Sequence, residues 1–296
     1  MKGEASAISH GAATIINAIA LGRGAAFGVD LYTQAQVKLT NEPEIIEAEI
    51  TSDLKENPLL IQKTVTAVLK HFQLEKEFGA KVKTISNIPI ARGLKSSSTV
   101  ANAVALATLG ALGKQLEDLE VVKLGVQAAF DAKVTVTGAF DDACASYFGG
   151  VVVTDNLNCK LLKQEQLTED YAILFQIPPK KAYTANSDIG KLQTIKTQVE
   201  AAYNAALKGH YWEALTLNGL VYSAALGFNA KIAVDALAEG AKAAGLCGKG
   251  PATTAVVPKD KVDTVKAAWQ VYEGEVIQAS LNHEKARCLS NGNGNS

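Results

Sequence analysis

The strongest chemical signal in the sequence is a glycine followed closely by three serines, at the start of an alanine-rich stretch over residues 99–112. Glycine lets the backbone approach a ligand, and serines before strong helix formers predict a helix N-terminus. Because the first N–H groups of a helix lack partners within it, such an end binds phosphate. The candidates are Gly93, Leu94, Lys95, Ser96, Ser97 and Ser98, with Arg92 directly before them.

Two further properties of this segment suit a nucleotide phosphate site. A serine hydroxyl can reach a Mg²⁺ ion held between phosphates, and Lys95 adds positive charge. A helix N-cap preceded by a flexible approach loop explains the same residues without any ligand. On these residues alone, the two interpretations have about equal weight.

Two adjacent aspartates form the second candidate. Asp141 and Asp142 lie in segment 137–146, whose other residues are mostly small or apolar. Burial of carboxylates there is unfavourable unless they are paired or bind a cation. Phosphoryl transfer needs a group that orients or deprotonates the attacking hydroxyl, and a carboxylate suits this role. The alternative, that one aspartate merely caps the following helix, has slightly more weight for the pair alone.

A glycine-rich segment at 245–251 contains Gly248, Lys249 and Gly250. It is either another phosphate or substrate loop or a tight strand-to-helix turn, and the turn is the more usual case.

The phosphate motif GxxxxGK[ST] is absent, because no Gly-Lys pair is followed by Ser or Thr. The GxGxxG fingerprint fails because Thr253 stands where its third glycine belongs. P-loop NTPases are therefore excluded.

Composition indicates a globular enzyme or binding protein. The chain has 296 residues, of which 48% are hydrophobic and 20% charged, and its net charge is −1. This length can bury a full core in one large domain or in two lobes that share a cleft. The balanced charge argues against a nucleic-acid partner or an anionic membrane, so we expect a small-molecule partner.

The cysteines and the chain ends predict a cytoplasmic location. The four cysteines form no CxxC pair, so neither a zinc site nor a disulfide framework is expected. The first residues lack the apolar core of a signal peptide, and the apolar stretches are too short or too interrupted to span a membrane.

Strand and helix patterns alternate along both halves of the chain, which predicts an α+β fold with two lobes. Alternation over residues 32–39 predicts a strand, and Pro58 opens a predicted helix that reaches about residue 78. Further helices are predicted over 117–133, 189–207, 211–226, 230–239 and 261–269. The last seven residues, 290–296, are Ser, Asn and Gly, and we expect them to be disordered.

Taken in order, three segments resemble the motifs of the GHMP kinase superfamily, named for galactokinase, homoserine, mevalonate and phosphomevalonate kinases. Residues 89–98 match its phosphate-loop motif P-x-x-x-G-L-x-S-S-[SA]. Residues 138–150 match its acidic motif before a helix and a Gly-Gly strand, and residues 245–251 match its C-terminal glycine motif. The resemblance spans nearly the whole chain.

Within the superfamily, segments 11–20, 24–30, 93–98 and 137–144 resemble the archaeal shikimate kinases. The resemblance implies a ribosomal-S5-like N-terminal lobe over residues 1–155 and a ferredoxin-like C-terminal lobe over 156–289, with the substrates in the cleft. It implies that ATP, with Mg²⁺, phosphorylates the 3-hydroxyl of shikimate on the route to chorismate and aromatic amino acids. The alternatives are another GHMP kinase, such as homoserine or mevalonate kinase, or a catalytically silent nucleotide sensor.

The resemblance also implies residue roles. Residues 92–98 would wrap the ATP phosphates, with Ser97 near Mg²⁺. Asp141 stands at the catalytic acidic position, and Asp142 is the second choice. The predicted substrate side comprises Thr14 and Asn17 of the first motif and Gly248, Lys249 and Gly250 of the third.

Two positions depart from the family pattern. Several relatives hold Mg²⁺ with a glutamate about eleven residues before the acidic motif, where this chain has Phe130. The adjacent Asp131 is the candidate metal ligand, although a shift of one residue turns a helical side chain by about 100°. Lys249 replaces an expected small residue such as Thr, which either reshapes substrate contacts or adds a cation facing a carboxylate. Arg92 and Lys38 are the other candidates to pair with a substrate carboxylate.

Overall fold

A seven-stranded β-sheet is the framework of the larger part of the chain. The computed structural model describes residues 3–51, 56–89, 94, 96–135, 137–179 and 189–289. The strands of this sheet are β1 (Glu4–Ile16), β2 (Arg23–Thr40), β3 (Ile46–Ile50), β4 (Gly79–Ser86), β5 (Val151–Asp155), β6 (Lys160–Glu165) and β11 (Arg287–Leu289). The order is β11-β1-β2-β4-β3, and β5 pairs with β2 and β6. The β3–β4 pairing is parallel, and the other pairings are antiparallel.

A second, four-stranded antiparallel sheet lies in the C-terminal half. Its strands are β7 (Ala172–Ile177), β8 (Ala243–Leu246), β9 (Thr253–Val257) and β10 (Glu275–Ser280), in the order β10-β7-β9-β8. The two sheets, each with helices packed against it, confirm the predicted α+β class.

Three helices lie on one face of the larger sheet: α1 (Leu59–His71), α2 (Ser96–Leu112) and α4 (Phe140–Phe148), and α3 (Asp118–Asp131) packs against these three helices. The core between them and the sheet consists largely of alanine and valine side chains, on both β1 and α2. Gly110 of α2 shows how close this packing is, since a Cβ there would lie 2.8 Å from the Cβ of Ala5. Small residues therefore let α2 lie directly against β1.

The remaining helices are α5 (Ile189–Gln193), α6 (Lys196–Leu207), α7 (Tyr211–Leu226), α8 (Lys231–Ala238) and α9 (Val262–Trp269). Side chains of α6 and α7 share a core with the end of β1 and the start of β2. Phe27 and Trp212 meet edge to face there, with ring centroids 5.4 Å apart. This part of the larger sheet is thus buried on both faces, which explains why its sequence is continuously apolar.

The predicted strand over residues 32–39 forms as part of β2. Tyr32 lies on the more exposed face, whereas Thr33 is fully buried. The Thr33 hydroxyl donates to Ser86 Oγ at 2.9 Å on the adjacent strand. This bond offsets the unfavourable burial of a polar group, so a threonine can occupy an inward position of the strand.

Two helix predictions are wrong in their limits. The helix that begins after Pro58 ends at His71 instead of near residue 78, because Gln73 adopts a positive φ of 59° and the Leu74 N–H donates to the Leu69 carbonyl. Such a left-handed residue ends a helix. The predicted helix over 189–207 is divided into α5 and α6.

The boundary between the predicted lobes, at residue 155, stays a prediction. The structure adds that β6 pairs with β5 in the larger sheet, and that β11 returns to pair with β1. Residues 290–296, predicted to be disordered, lie outside the described residues. Within the described ranges, no helix has the length and hydropathy needed to cross a membrane.

His10 makes the stability of the fold depend on pH. This β1 residue is 8% exposed, and its Nδ1 atom has no hydrogen-bond partner among the described residues. Burial lowers the pKa of His10, and the nearby carboxylate of Glu284 opposes this only in part. The unfolded chain therefore binds a proton at His10 more readily than the folded chain does. The contribution of neutral His10 to the free energy of unfolding is full above pH 6.5 and is lost as the pH falls through the lowered pKa of the folded state.

We expect His10→Gln to reduce the loss of unfolding free energy between pH 7.5 and pH 5.5, because glutamine takes up no proton. Urea unfolding of the wild type and the variant at both pH values measures this. His71→Gln, which changes an exposed histidine, is the control and should follow the wild type. An equal loss in His10→Gln and wild type would contradict the prediction.

Candidate active site

The two aspartates lie in the first turn of α4 and are both 3% exposed. Gly138 (φ 77°) and Ala139 (φ 48°) turn the chain so that α4 begins at Phe140. The N-cap residue is Ala139, and it makes no side-chain capping bond. The aspartates are therefore within the helix and are not its N-cap, and the positive end of the helix dipole stabilises their charges.

A hydrogen-bonded chain of polar groups holds Asp141. The Asn156 side-chain amide donates from Nδ2 to Asp141 Oδ1 at 2.8 Å. The Thr154 hydroxyl is 2.6 Å from Asn156 Oδ1 and 3.3 Å from the Gly24 carbonyl, both of which accept from it. These side chains are all buried, and such bonds offset the desolvation of the carboxylate.

Gly24 of β2 provides the space that Asp141 occupies. A Cβ at residue 24 would lie 2.4 Å from Asp141 Oδ2 and 2.6 Å from its Cγ. No side chain fits there unless the carboxyl group moves away. The aspartate thus lies directly against the sheet backbone.

Helix α7 fixes the turn that follows β1. The Asn17 N–H donates to Asn218 Oδ1 at 3.2 Å. The Tyr222 hydroxyl donates to the Asn17 carbonyl at 3.0 Å and accepts from the Ala20 N–H at 3.1 Å. Burial raises the pKa of Tyr222 far above its usual range, and the nearby charge of Asp141 raises it further. The phenol therefore stays protonated and remains a donor.

The third glycine segment forms a tight turn between β8 and β9, so the expected strand-to-helix turn is in fact a strand-to-strand turn. Gly248 (φ 59°) and Gly250 (φ 76°) both adopt left-handed backbone, and the Cys247 N–H donates to the Ala252 carbonyl at 2.8 Å. The side chain of Lys249 is half-buried on this turn.

The same segment brings α7 close to the smaller sheet. A Cβ at Gly219 of α7 would lie 2.3 Å from the Cα of Gly245 in β8. Two backbones therefore touch, and this contact lies beside the two α7 side chains that hold the turn after β1. The glycine segment at 245–251 thus supports, through α7, the turn after β1 that contains Asn17.

The predicted phosphate helix is present as α2, seventeen residues long, beginning at Ser96. Ser96 and Ser97 are half-buried in its first turn, whereas Ser98 and the preceding Leu94 are buried. The Thr99 hydroxyl donates to the His10 carbonyl at 3.3 Å, which ties the first turn to β1. Three predicted members of the phosphate loop lie outside the described residues: Arg92, Gly93 and Lys95.

Thr14 lies in β1 opposite Ala26, on the sheet face that α2 and α4 cover. It is 2% exposed, and its hydroxyl has no hydrogen-bond partner among the described residues. A buried hydroxyl of this kind is unusual, because such groups are normally paired. Thr14 is therefore a buried polar group near the end of β1, on the sheet face that packs against α4, the helix of the two aspartates.

Two of the predicted site residues, Asp131 and Lys38, make no described contact with the residues around Asp141. Asp131 is exposed at the end of α3, where it accepts a 2.9 Å bond from Gln127. Lys38 is exposed near the other end of β2, fourteen residues from Gly24, which is roughly 45 Å of extended strand. Lys38 is therefore too distant to share one small substrate with Asp141.

Sequence reasoning missed five residues that shape the site: Gly24, Thr154, Asn156, Asn218 and Tyr222. The last two stand four residues apart in an otherwise mostly apolar helix, and this spacing is a usable signal because it places both on one helix face. The others lie in or beside strands, where nothing in the local sequence distinguishes them from ordinary strand and turn residues.

Comparison with known proteins identifies the fold. Residues 60–150 match the family model "GHMP kinases N terminal domain". Homoserine kinase from Cytophaga hutchinsonii superposes with a TM-score of 0.76 over 98% of both chains, at 14% identity. Methanococcus jannaschii mevalonate kinase superposes with a TM-score of 0.76 over 94% of this chain and 98% of its own, at 17% identity. The chain has the two-lobed fold of the GHMP kinases, as predicted.

Sequence relatives define the family more narrowly. Shikimate kinase from Methanosarcina mazei is 47% identical over 96% of both chains. Shikimate kinase from Pyrococcus abyssi is 39% identical over 95% of this chain and all of its own. The chain belongs to the archaeal shikimate kinase family of the GHMP kinase superfamily.

The residues present fit ATP and Mg²⁺. The first turn of α2 carries hydroxyls and no acidic residue, so its N–H groups and dipole suit the phosphates of a nucleotide. Serine hydroxyl and aspartate carboxylate oxygens are the donors that Mg²⁺ prefers. The described part of the chain contains no group of three or more His, Cys, Asp or Glu side chains that would hold a metal. Mg²⁺ does not require one, because it commonly uses one or two carboxylates with phosphates and water.

If Asp141 is the catalytic carboxylate, Gly24→Ala should lower kcat about 100-fold, because the new methyl displaces the Asp141 carboxyl group and misplacement of a catalytic group has effects of this size. The overpacking should also reduce stability by about 1–3 kcal/mol. Steady-state kinetics and thermal unfolding measure the two effects. Gly125→Ala adds the same methyl at 3.2 Å from the Ala101 Cβ, away from Asp141, and should keep its activity. Full activity in a folded Gly24→Ala enzyme would contradict this account of the site.

Proposed function

We propose that this chain is a shikimate kinase that transfers the γ-phosphoryl group of ATP to the 3-hydroxyl of shikimate. The observation that carries the proposal is the near-complete, two-way coverage at 38–47% identity with archaeal proteins named shikimate kinase. The buried Asp141, close to the N-terminal end of α4, supplies the carboxylate that this reaction needs.

The N-terminal end of α2 binds the phosphates in this proposal. Its first N–H groups point out of the helix, and the hydroxyls of Ser96 and Ser97 are accessible enough to reach a ligand. Ser97 and a carboxylate would hold Mg²⁺, which neutralises phosphate charge when it is bound. Gly93 and Lys95, with Arg92, remain predicted parts of the same loop.

Asp141 orients the acceptor hydroxyl and takes its proton during transfer. Because Oδ1 accepts from Asn156 and Oδ2 lies against Gly24, the plane of the carboxyl group is held in one orientation. A fixed carboxylate directs the hydroxyl oxygen toward the phosphorus, which is the larger part of catalysis when little covalent chemistry is required. Asp142, the next residue in the same turn, is the second candidate.

The acceptor lies against the end of β1 and the turn between β8 and β9. Thr14 and Asn17 supply polar groups on one side, with Gly248 and Gly250 on the other. A shikimate carboxylate needs a cation, and Lys249 or Arg92 supplies it. We place the reaction in the cytoplasm on a free small molecule; the net charge of −1 supports a partner other than a polyanion.

ADP release with Mg·ATP and four acceptors tests the function: shikimate, homoserine, mevalonate and galactose. We expect turnover with shikimate alone, because the family relatives at high coverage are shikimate kinases. Turnover with a different acceptor would keep the kinase class and overturn the substrate. ATP binding without turnover on any acceptor would favour a silent nucleotide sensor.

The magnesium ligand is tested separately at Asp131. If Asp131 binds the metal, Asp131→Asn raises the Mg²⁺ concentration for half-maximal activity about tenfold or more, because a metal ligand has lost its charge. Gln127→Ala removes the side chain that donates to Asp131 and leaves the carboxylate, so it is the control. An unchanged magnesium dependence in Asp131→Asn would assign the metal to the aspartates of α4 instead.

A further inference from the structure

Asn156 connects Asp141 to the first residues after β5. Its side chain is 5% exposed and donates from Nδ2 to Asp141 Oδ1 at 2.8 Å. We propose that Asn156 is a positioning residue for phosphoryl transfer, which holds the Asp141 carboxyl group in the orientation that receives the acceptor hydroxyl. This inference rests on the function proposed above for Asp141.

Thr154 determines which way the Asn156 amide faces. The Thr154 hydroxyl donates to Asn156 Oδ1 at 2.6 Å, a shorter contact than its 3.3 Å contact with the Gly24 carbonyl. Because the amide oxygen is engaged by this donor, the amide nitrogen faces Asp141. A carboxylate accepts and does not donate, so this is the orientation that stabilises the charged form of Asp141.

The backbone around Asn156 is held on two sides. The Asn156 N–H donates to the Gly22 carbonyl at 3.0 Å, just before β2. The Thr154 carbonyl accepts from the Tyr203 hydroxyl of α6 at 3.3 Å. The donor that reaches Asp141 is thus anchored to the larger sheet and to a helix of the C-terminal half, and it cannot follow the carboxyl group if that group rotates.

The two carboxylate oxygens of Asp141 have different surroundings. Oδ1 receives the amide hydrogen, and Oδ2 lies on the backbone of Gly24. Rotation of the carboxyl group would break the first contact and worsen the second. Asn156 therefore acts on the orientation of the reacting carboxylate, so its loss should lower kcat while the KM for Mg·ATP stays unchanged.

The first experiment compares Asn156→Ala with Asn158→Ala. Asn158 is a matched control because it lies on the same loop and its amide donates to a carboxylate, that of the half-buried Asp155, at 2.8 Å. We expect kcat to fall about 10- to 100-fold in Asn156→Ala, which corresponds to the loss of a hydrogen bond to a charged group. Asn158→Ala should keep the wild-type kcat. Equal kcat values in both variants would overturn the proposal.

A second pair of variants leaves Asn156 in place. Thr154→Val removes the hydroxyl at nearly constant shape, whereas Thr154→Ser keeps it. If the hydroxyl orients the amide, kcat falls in Thr154→Val and is largely retained in Thr154→Ser. This comparison also decides the question should Asn156→Ala fail to fold, and a loss of kcat that is the same in both Thr154 variants would count against the proposal.

A double-mutant cycle with Asp141→Asn shows whether Asn156 acts through Asp141. In the Asp141→Asn background, Asn156→Ala should have little further effect on kcat, because the group that it positions has lost its role. A full additional loss would indicate a separate structural effect and would overturn the proposal. Failure of the wild-type enzyme to turn over shikimate would instead count against the proposed function, since the cycle can be measured on whichever acceptor is used.

Discussion

The buried carboxylates at the start of α4 are the constraint on which the surrounding structure depends. A charged group removed from water needs donors or a dipole to replace its hydration. The nine-residue α4 supplies its dipole, and Asn156 supplies a donor. Gly138 and Ala139 adopt left-handed backbone so that the helix begins at the right place, and Gly24 leaves room for the carboxyl group. Each of these neighbours of Asp141 thus supplies a dipole or a donor, or shapes the backbone so that the carboxyl group fits.

Small residues also allow close backbone contact at a position away from the aspartates. Helix α7 approaches β8 at Gly219 and Gly245, where neither position has space for a methyl group. Because of that approach, Asn218 and Tyr222 reach the chain that leaves β1. The glycine contact within the C-terminal half therefore positions the α7 side chains, and buried hydrogen bonds from those side chains join the two halves of the molecule at the turn after β1.

Much of the fold and part of the site could be predicted from local sequence. The α+β class and the start of α2 near the three serines followed from composition, helix signals and alternation. The missing parts are contacts between distant residues. Asn156 reaches Asp141 across fifteen residues and Asn218 reaches Asn17 across 201, and no local pattern indicates which chain ends meet. The early end of α1 has a similar cause, since one left-handed residue, Gln73, outweighs the helical pattern that continues to residue 78.

The pairing of β11 in the larger sheet has a consequence for folding during translation. Strand β11 pairs with β1, which carries Thr14 and leads to Asn17, so β1 waits for a strand that is synthesised much later. During translation, one edge of β1 stays open until residues 287–289 have left the ribosome. An unpaired edge is a template for intermolecular strand pairing, so nascent chains that have β1 but not β11 are prone to aggregate. Ribosome-bound chains that stop short of β11 should therefore associate with chaperones more than finished ones do.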